Sequence, residues 1–313
     1  MLTYVLKRVL ATLPVMLMVA ALVFALLRLT PGDPAAMLLG DDASAEQLAA
    51  VRERMGLDRP LFEQLLTWFA NLARGDLGQS LLSGKPVLEM IGSRMGPTVS
   101  LAITTITFTV IVAVPMGIIA ARRPGGMVDR AIMAVSVMGF SLPTFVVGYI
   151  LILVMALQLR LLPVQGYVPL DKGFWPYIER LILPTLALSG VYIALVARIT
   201  RSAIIDQMRE DYIRTARAKG ATERTVLMRH ALNNAAVPIV TVIGLGVAGM
   251  ITGVVVTESV FNLPGLGRLV VEAVLARDYP IIQGLILLFS FSYIVINLIV
   301  DLLYTVFDPR IRY

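Results

Sequence analysis

The sequence predicts an all-α polytopic membrane protein: six transmembrane helices, a helical loop on the cytoplasmic side, and a long external loop containing short surface helices. Three observations carry this expectation. The 313 residues are 58% apolar and only 15% charged, with strongly positive mean hydropathy, a balance typical of membrane chains. Six stretches are each apolar enough to reach across about 30 Å of hydrocarbon as a helix. Basic residues gather in alternate connections between those stretches, and most acids lie in the others.

The first stretch, Val9–Leu27, follows Lys7 and Arg8. It exceeds a usual signal-peptide core and no small-x-small cleavage site precedes Arg28, so a retained helix is expected. From Thr30 to Gly96 the chain is polar. Ser44-Ala-Glu-Gln47 reads as a capping box for a helix that Gly56 can stop. Pro60 opens another helix, with Leu61, Leu65, Trp68 and Leu72 on one stripe and Gly75 behind it. Pro86 opens a third, short one. Further spans are expected at Pro97–Ala121, Ala131–Leu159, Leu181–Ile205, Val237–Val256 and Pro280–Tyr304. This gives two expected parts: 1–96, an anchor helix plus external loop, and 97–313, a five-helix core.

Arg122, Arg123, Arg130, Arg198, Arg201, Arg310 and Arg312 fall on the side of Lys7 and Arg8 if the helices alternate. Asp33, Asp41, Asp42, Glu46, Asp58, Asp76 and Glu89 fall on the other. The positive-inside bias then places both termini in the cytoplasm. The net charge of +6 is not a nucleic-acid footprint, because the basic residues lie in short loops beside apolar runs.

Composition also removes several chemistries. With no cysteine there is neither a disulfide frame nor a thiolate, and the single histidine, His230, excludes a His-rich metal site. There is no H-E-x-x-H, G-x-S-x-G or Walker-type phosphate loop. Proline and glycine interrupt several spans: Pro115 and Gly117; Gly139, Pro143 and Gly148; Pro184; Gly244, Gly246, Gly249 and Gly253. Broken backbone at membrane depth needs cover from protein or a watery cavity, so these positions read either as a translocation path or as close helix packing. Glu258 and Asp301 lie near span ends, where Arg268, or Lys7 and Arg8, could satisfy them.

The stretch 206–236 stands apart. Arg209, Arg214, Arg217, Lys219, Arg224 and Arg229 outweigh Asp206, Glu210, Asp211 and Glu223. Met208, Tyr212 and Ala216 recur at i, i+4 and i+8, which predicts one apolar stripe. Gly220 offers a left-handed helix stop, Thr222 an N-cap for a second helix towards Asn234, and Pro238 a first-turn proline for the next span. Helix, glycine corner, helix is the expected shape: a displayed docking element.

Arg214-Thr-Ala-Arg-Ala-Lys-Gly220 resembles the cytoplasmic EAA loop in permease subunits of bacterial binding-protein-dependent ABC importers, nearest the branch for dipeptides, oligopeptides, glutathione and nickel chelates. Arg214 and Thr215 stand where the general pattern has Glu and Ala. The resemblance extends over the chain through Thr30-Pro-Gly-Asp-Pro34, Gly75-Asp-Leu-Gly78, Ser141-Leu-Pro-Thr-Phe145, Leu162-Pro163 with Gly166, Ala197-Arg-Ile-Thr-Arg-Ser202, Asn262-Leu-Pro-Gly-Leu-Gly267 and Asp308-Pro-Arg-Ile-Arg-Tyr313. The long first external loop and the terminal motif look like the first of the two permease types in such systems.

The resemblance implies a second homologous permease, two cytoplasmic ATPases that bind ATP and magnesium, an extracytoplasmic solute-binding protein, and no cofactor on this chain. It implies ATPase coupling through Tyr212, Arg214, Thr215, Ala216, Arg217, Lys219, Gly220 and Thr222. It leaves Ser141, Pro143, Phe145, Gly148, Gly246, Gly249, Gly253 and Glu258 as expected path or gate positions. The competing readings are an ion- or proton-coupled secondary transporter, which calls for repeats and midplane charges, and an intramembrane hydrolase, which calls for a nucleophile or metal constellation; the sequence displays none of these.

Overall fold

A computed structural model describes residues 2–29, 34–39, 44–54 and 56–307. The motifs at 30–33 and 308–313, Asp41 and Asp42, and the side chains of Lys7 and Arg8 lie outside the described residues. The described residues are mainly helical, and the only extended pairing among them is a single bridge between Gln79 and Pro86. Two compact units are present: one of Met95–Arg268 with the chain from Tyr293 onward, the other of Leu2–Arg94 with Leu269–Ser292.

In the second unit, α1 (Leu2–Leu29) is followed by α2 (Pro34–Leu39), α3 (Ala45–Arg54) and α4 (Leu61–Ala73). Ser44 and Gln47 form the expected reciprocal cap: the Ser44 N–H donates to Gln47 Oε1 at 3.0 Å and the Gln47 N–H to Ser44 Oγ at 3.2 Å. Gly56, at φ +66°, ends α3. Trp68 on α4 packs its ring against Phe24 of α1, with centroids 5.8 Å apart; Leu61, on the expected stripe, is exposed. Gly75 and Gly78 both take positive φ, and Asp76 Oδ1 accepts the Gly78 N–H at 2.8 Å, closing the Gly75–Gly78 turn. Buried Asp278 holds the next segment by accepting from Ser80 Oγ (2.5 Å) and the Leu81 N–H (3.2 Å).

The expected short helix at Pro86 and the span beginning at Pro97 are one element, α5 (Val87–Arg122), with Pro97 and Pro115 inside it. A proline deletes one N–H bond without ending a helix whose flanks favour helix. At 36 residues, α5 is about 54 Å long, well beyond the hydrocarbon thickness.

The expected single span Ala131–Leu159 is two helices, α6 (Met127–Ser141) and α7 (Thr144–Leu151), the latter running on as a π-helical stretch, Ile152–Gln158. They bend by 100°. Pro143 disfavours the helical region for the residue before it, and Leu142 sits extended at φ −95°, ψ 125°. The chain then forms α8 (Phe174–Met208), α9 (Asp211–Ala218), α10 (Glu223–Thr225), a π-helical stretch Val226–Ala231, α11 (Leu232–Asn234), α12 (Ala236–Val260), α13 (Leu266–Leu275) and α14 (Tyr279–Phe307).

α8 is the hub of the first unit, packed against α6, α7 and α12. Its core includes Leu183 and Leu188 of α8 with Met250 and Val254 of α12 and the Phe261 ring. Among the described residues three helices, α5, α8 and α14, are long and apolar enough to cross a membrane; counting each of two bent pairs, Met127–Ser141 with Thr144–Gln158 and Glu223–Asn234 with Ala236–Ile251, as one span raises this to five. In α1 the apolar run is Leu10–Ala25.

Candidate functional site

The corner at Gly220 follows from local chemistry. At the end of α9 the Gly220 N–H donates to Arg217 O at 2.9 Å and the Ala221 N–H to Ala216 O at 3.1 Å, the paired bonds of a Schellman stop. Gly220 stands at φ +83°, where a side chain is disfavoured. Two residues later Thr222 Oγ1 accepts the Thr225 N–H at 3.3 Å and starts α10. Arg217 spans the corner, donating from Nε to Glu223 Oε1 (2.7 Å) and from Nη2 to Oε2 (3.2 Å). The hydrogen bond from Arg217 holds the Glu223 carboxyl below its ordinary range. Because that folded-state value is lowered, the pair is intact at neutral pH and is lost as pH falls through it.

The buried side of the loop differs from the expected stripe. α8 stops at Met208 and α9 begins at Asp211, so the turn between them resets the helical phase. Ile213, not Tyr212, is fully buried, in a cluster with Ala121, Ile204, Val226 and Leu227, against which Met208 and Ala216 also pack. Tyr212 is exposed and donates its hydroxyl to Gln207 Oε1 at 2.7 Å. Arg214, Thr215, Arg217, Lys219, Gly220 and Thr222 are exposed as well. A cationic face is therefore displayed on a segment anchored from beneath.

Beside it lies an ion pair that the periodicity gave no means to find. Arg201 of α8 donates from Nε and Nη2 to the two oxygens of Asp129 in the first turn of α6, and the Gly125 N–H donates to Asp129 Oδ2 at 2.7 Å. The Asp129 side chain is buried and that of Arg201 is about a quarter exposed. The one available signal is an acid among the basic residues of that turn. Asp129→Asn, which strands Arg201, is expected to cost about 2–3 kcal/mol. Thermal unfolding of the purified protein measures it, with Asp129→Asn/Arg201→Gln expected to recover part of the loss; an unchanged midpoint in the single variant contradicts this.

The expected path residues separate into two groups. Ser141 ends α6, its hydroxyl returned to Val137 O at 2.9 Å, Pro143 caps α7, and Phe145 is exposed. Gly148 lies under Val260 and Phe261, where a Cβ would approach both at 3.2 Å. Gly246, Gly249 and Gly253 of α12 instead share one neighbour, the Tyr192 side chain of α8, and Gly253 also abuts Leu188. Their lack of side chains lets α8 and α12 approach closely.

Glu258 is fully buried and organises the segment after α12. Its Oε1 accepts from Thr98 Oγ1 at 2.5 Å and its Oε2 from the Arg268 N–H at 3.0 Å. Thr98 Oγ1 in turn accepts the Leu266 N–H at 2.8 Å. Carboxylate and hydroxyl together cap the start of α13. The Arg268 side chain turns to Asn262 Oδ1, and Asn262 sits at φ +52°. A Cβ on Gly265 would collide with the Glu258 carboxylate, and the Gly166 N–H donates to Phe261 O at 3.0 Å.

Among the described residues no group of His, Asp and Glu could hold a metal ion. A helical chain with several segments long and apolar enough to span a membrane, and a folded, charged connection between two of them, has the form of an integral membrane protein. Residues 113–313 match the family described as binding-protein-dependent transport system inner membrane component, and residues 1–102 match the N-terminal part of such a membrane component. The chain is 52% identical over 99% of both lengths to a probable peptide ABC transporter permease protein, y4tP, of Sinorhizobium fredii. It is 44% identical over the full length of both chains to the glutathione transport system permease protein GsiC of Escherichia coli K12. In fold it resembles a chain of the MetNI methionine ABC transporter in an inward-facing conformation, with TM-score 0.58 and 15% identity over 71% of this chain and 97% of that one. The chain belongs to the binding-protein-dependent transport system inner membrane component family. It is a multi-pass inner-membrane permease subunit of an ABC importer, and non-catalytic.

Proposed function

We propose that this permease forms half of the translocation pathway for a peptide-like solute and is driven through the 206–236 loop by cytoplasmic ATPases. The observation that carries the coupling is the Gly220 corner: a rigid turn with Ile213 locked into the helix ends and a cationic face outward. Such an element transmits a push without folding away from it. Tyr212, Arg214, Thr215, Ala216, Arg217, Lys219, Gly220 and Thr222 form the contact, with Ala216 partly buried against the anchor. Full-length likeness to relatives named for peptide and glutathione transport supports the solute class. ATP and magnesium belong to the ATPases.

In this reading α1 supplies a sixth span, both termini are cytoplasmic, 1–96 provide the anchor and external loop, and 97–313 the core. Partners are a second homologous permease, two ATPases and an extracytoplasmic binding protein. The α6–α7 bend, with Ser141, Pro143, Phe145 and Gly148, lies at the pathway; Gly246, Gly249 and Gly253 set the spacing of α8 and α12 behind it, and Glu258 fixes the segment that follows. Pull-down of the chain from solubilised membranes tests the assignment: ATPases are expected to co-purify, whereas uptake by the isolated subunit in liposomes under an ion gradient alone would favour the secondary transporter.

The chain has no cysteine, so an introduced one reports alone. Exposed Val137, Met138, Phe140 and Phe145 give the bend an apolar outer face. Phe145→Cys is expected to cross-link to a cysteine in the partner permease under mild oxidation, in a manner sensitive to ATP; cross-links confined to other faces would remove the bend from the pathway.

A further inference from the structure

We infer that the cleft between the end of α5, the start of α6 and α10 is a binding site for the headgroup of an anionic phospholipid. The cleft encloses about 730 Å³ and carries Arg122, Arg123 and Arg224 together with two acids, Asp129 and Glu223. Both acids are already neutralised. Asp129 is held by Arg201 and Glu223 by Arg217, neither of which lines the cleft. Arg122, Arg123 and Arg224 have no ion-pair partner among the described residues, so the cleft presents three uncompensated cations.

The walls are apolar on the same side. Met127, Val128 and Ile119 are 88%, 58% and 46% exposed. Arg122 and Arg123 directly follow the apolar run Pro97–Ala121, so the cluster sits where hydrocarbon gives way to headgroups. Cations beside exposed apolar side chains at that depth suit an amphiphile: phosphate on the guanidiniums, acyl chain along Ile119, Met127 and Val128. A free anion would leave the apolar wall unused. Occupancy stands on this geometry alone. Its consequence, that the lipid ties the membrane ends of α5 and α6 to Arg224 and Leu227 and steadies the loop, rests on the coupling function proposed above.

The test uses the complete transporter, with its partner permease and ATPases, in nanodiscs of phosphatidylcholine with increasing phosphatidylglycerol. Native mass spectrometry is expected to find phosphatidylglycerol retained on the wild-type complex. Retention by Arg122→Gln/Arg123→Gln should be roughly 30-fold weaker, about fivefold for each charge removed. ATPase activity should rise with phosphatidylglycerol in the wild type and stay flat in the variant. Equal retention by both proteins, displacement by millimolar inorganic phosphate, or loss of the ATPases from the variant complex would each overturn the lipid assignment, the last by making the cleft a protein contact. Selective retention with an indifferent ATPase supports the lipid site and counts against the coupling function instead.

Discussion

Gly220→Val is expected to abolish uptake while the chain still inserts and assembles. No atom lies within 4 Å of the position a Cβ would take at Gly220, so the substitution creates no clash. Its effect is confined to the backbone. Holding a side chain at φ +83° costs ~1–2 kcal/mol, and a β-branched residue is the worst choice. That is too little to unfold a protein of this size, but it lowers the native corner against relaxed alternatives by roughly 5- to 30-fold. Relaxation breaks the Gly220 and Ala221 bonds, moves the Thr222 cap and parts Arg217 from Glu223. Gly220→Asn is expected to stay near wild type, since asparagine tolerates the left-handed region, with Gly220→Ala between. Solute uptake measured beside membrane abundance and ATPase co-purification separates coupling from folding. Wild-type uptake by a well-inserted valine variant would remove the corner from the mechanism.

Glu258→Ala is expected to damage folding. The substitution leaves the Thr98 hydroxyl and the Arg268 N–H without their acceptor and opens a void beside Gly265. Each stranded buried donor costs about 1–3 kcal/mol and the void adds to it, giving about 3–5 kcal/mol in all. Glu258→Gln keeps one acceptor oxygen and should lose less. Gly265→Ala drives a methyl group into the carboxylate from the other side, so it should fall in the same range as Glu258→Ala. Thermal unfolding of detergent-purified protein gives the ranking: alanine at 258 lowest, glutamine between, wild type highest. An alanine variant that melts with the wild type would show that the segment after α12 is held by other contacts.

Much of the architecture was legible because it depends on neighbours within a few residues. The Ser44–Gln47 box, the stops at Gly56 and Gly220, the Thr222 cap and the first-turn Pro238 are all set by local hydrogen bonding and φ limits, and the structure has each of them. Proline is where local reading went astray, in both directions. Pro97 was expected to open a helix and lies inside one, while Pro143, expected within a single span, turns it by 100°. The missing N–H is the same in both. At Pro143 the preceding Leu142 is extended and Gly148 tucks under Val260 and Phe261, so the bend is held by packing.

The apolar stripe of the 206–236 loop shows the same limit. Met208, Tyr212 and Ala216 share a face only if one helix runs through them, and the turn after Met208 gives the buried place to Ile213.

The sequence by itself determined a mainly helical membrane chain and the family, through motifs spread along its length. Tertiary structure alone decided which charges meet. Asp129 and Arg201 are 72 positions apart, Thr98 and Glu258 160 apart, and Tyr192 is opposed to Gly246, Gly249 and Gly253 only because α8 packs on α12. Helix propensity and capping act over three or four residues, whereas a buried carboxylate is satisfied by whichever donor packing brings within hydrogen-bond reach.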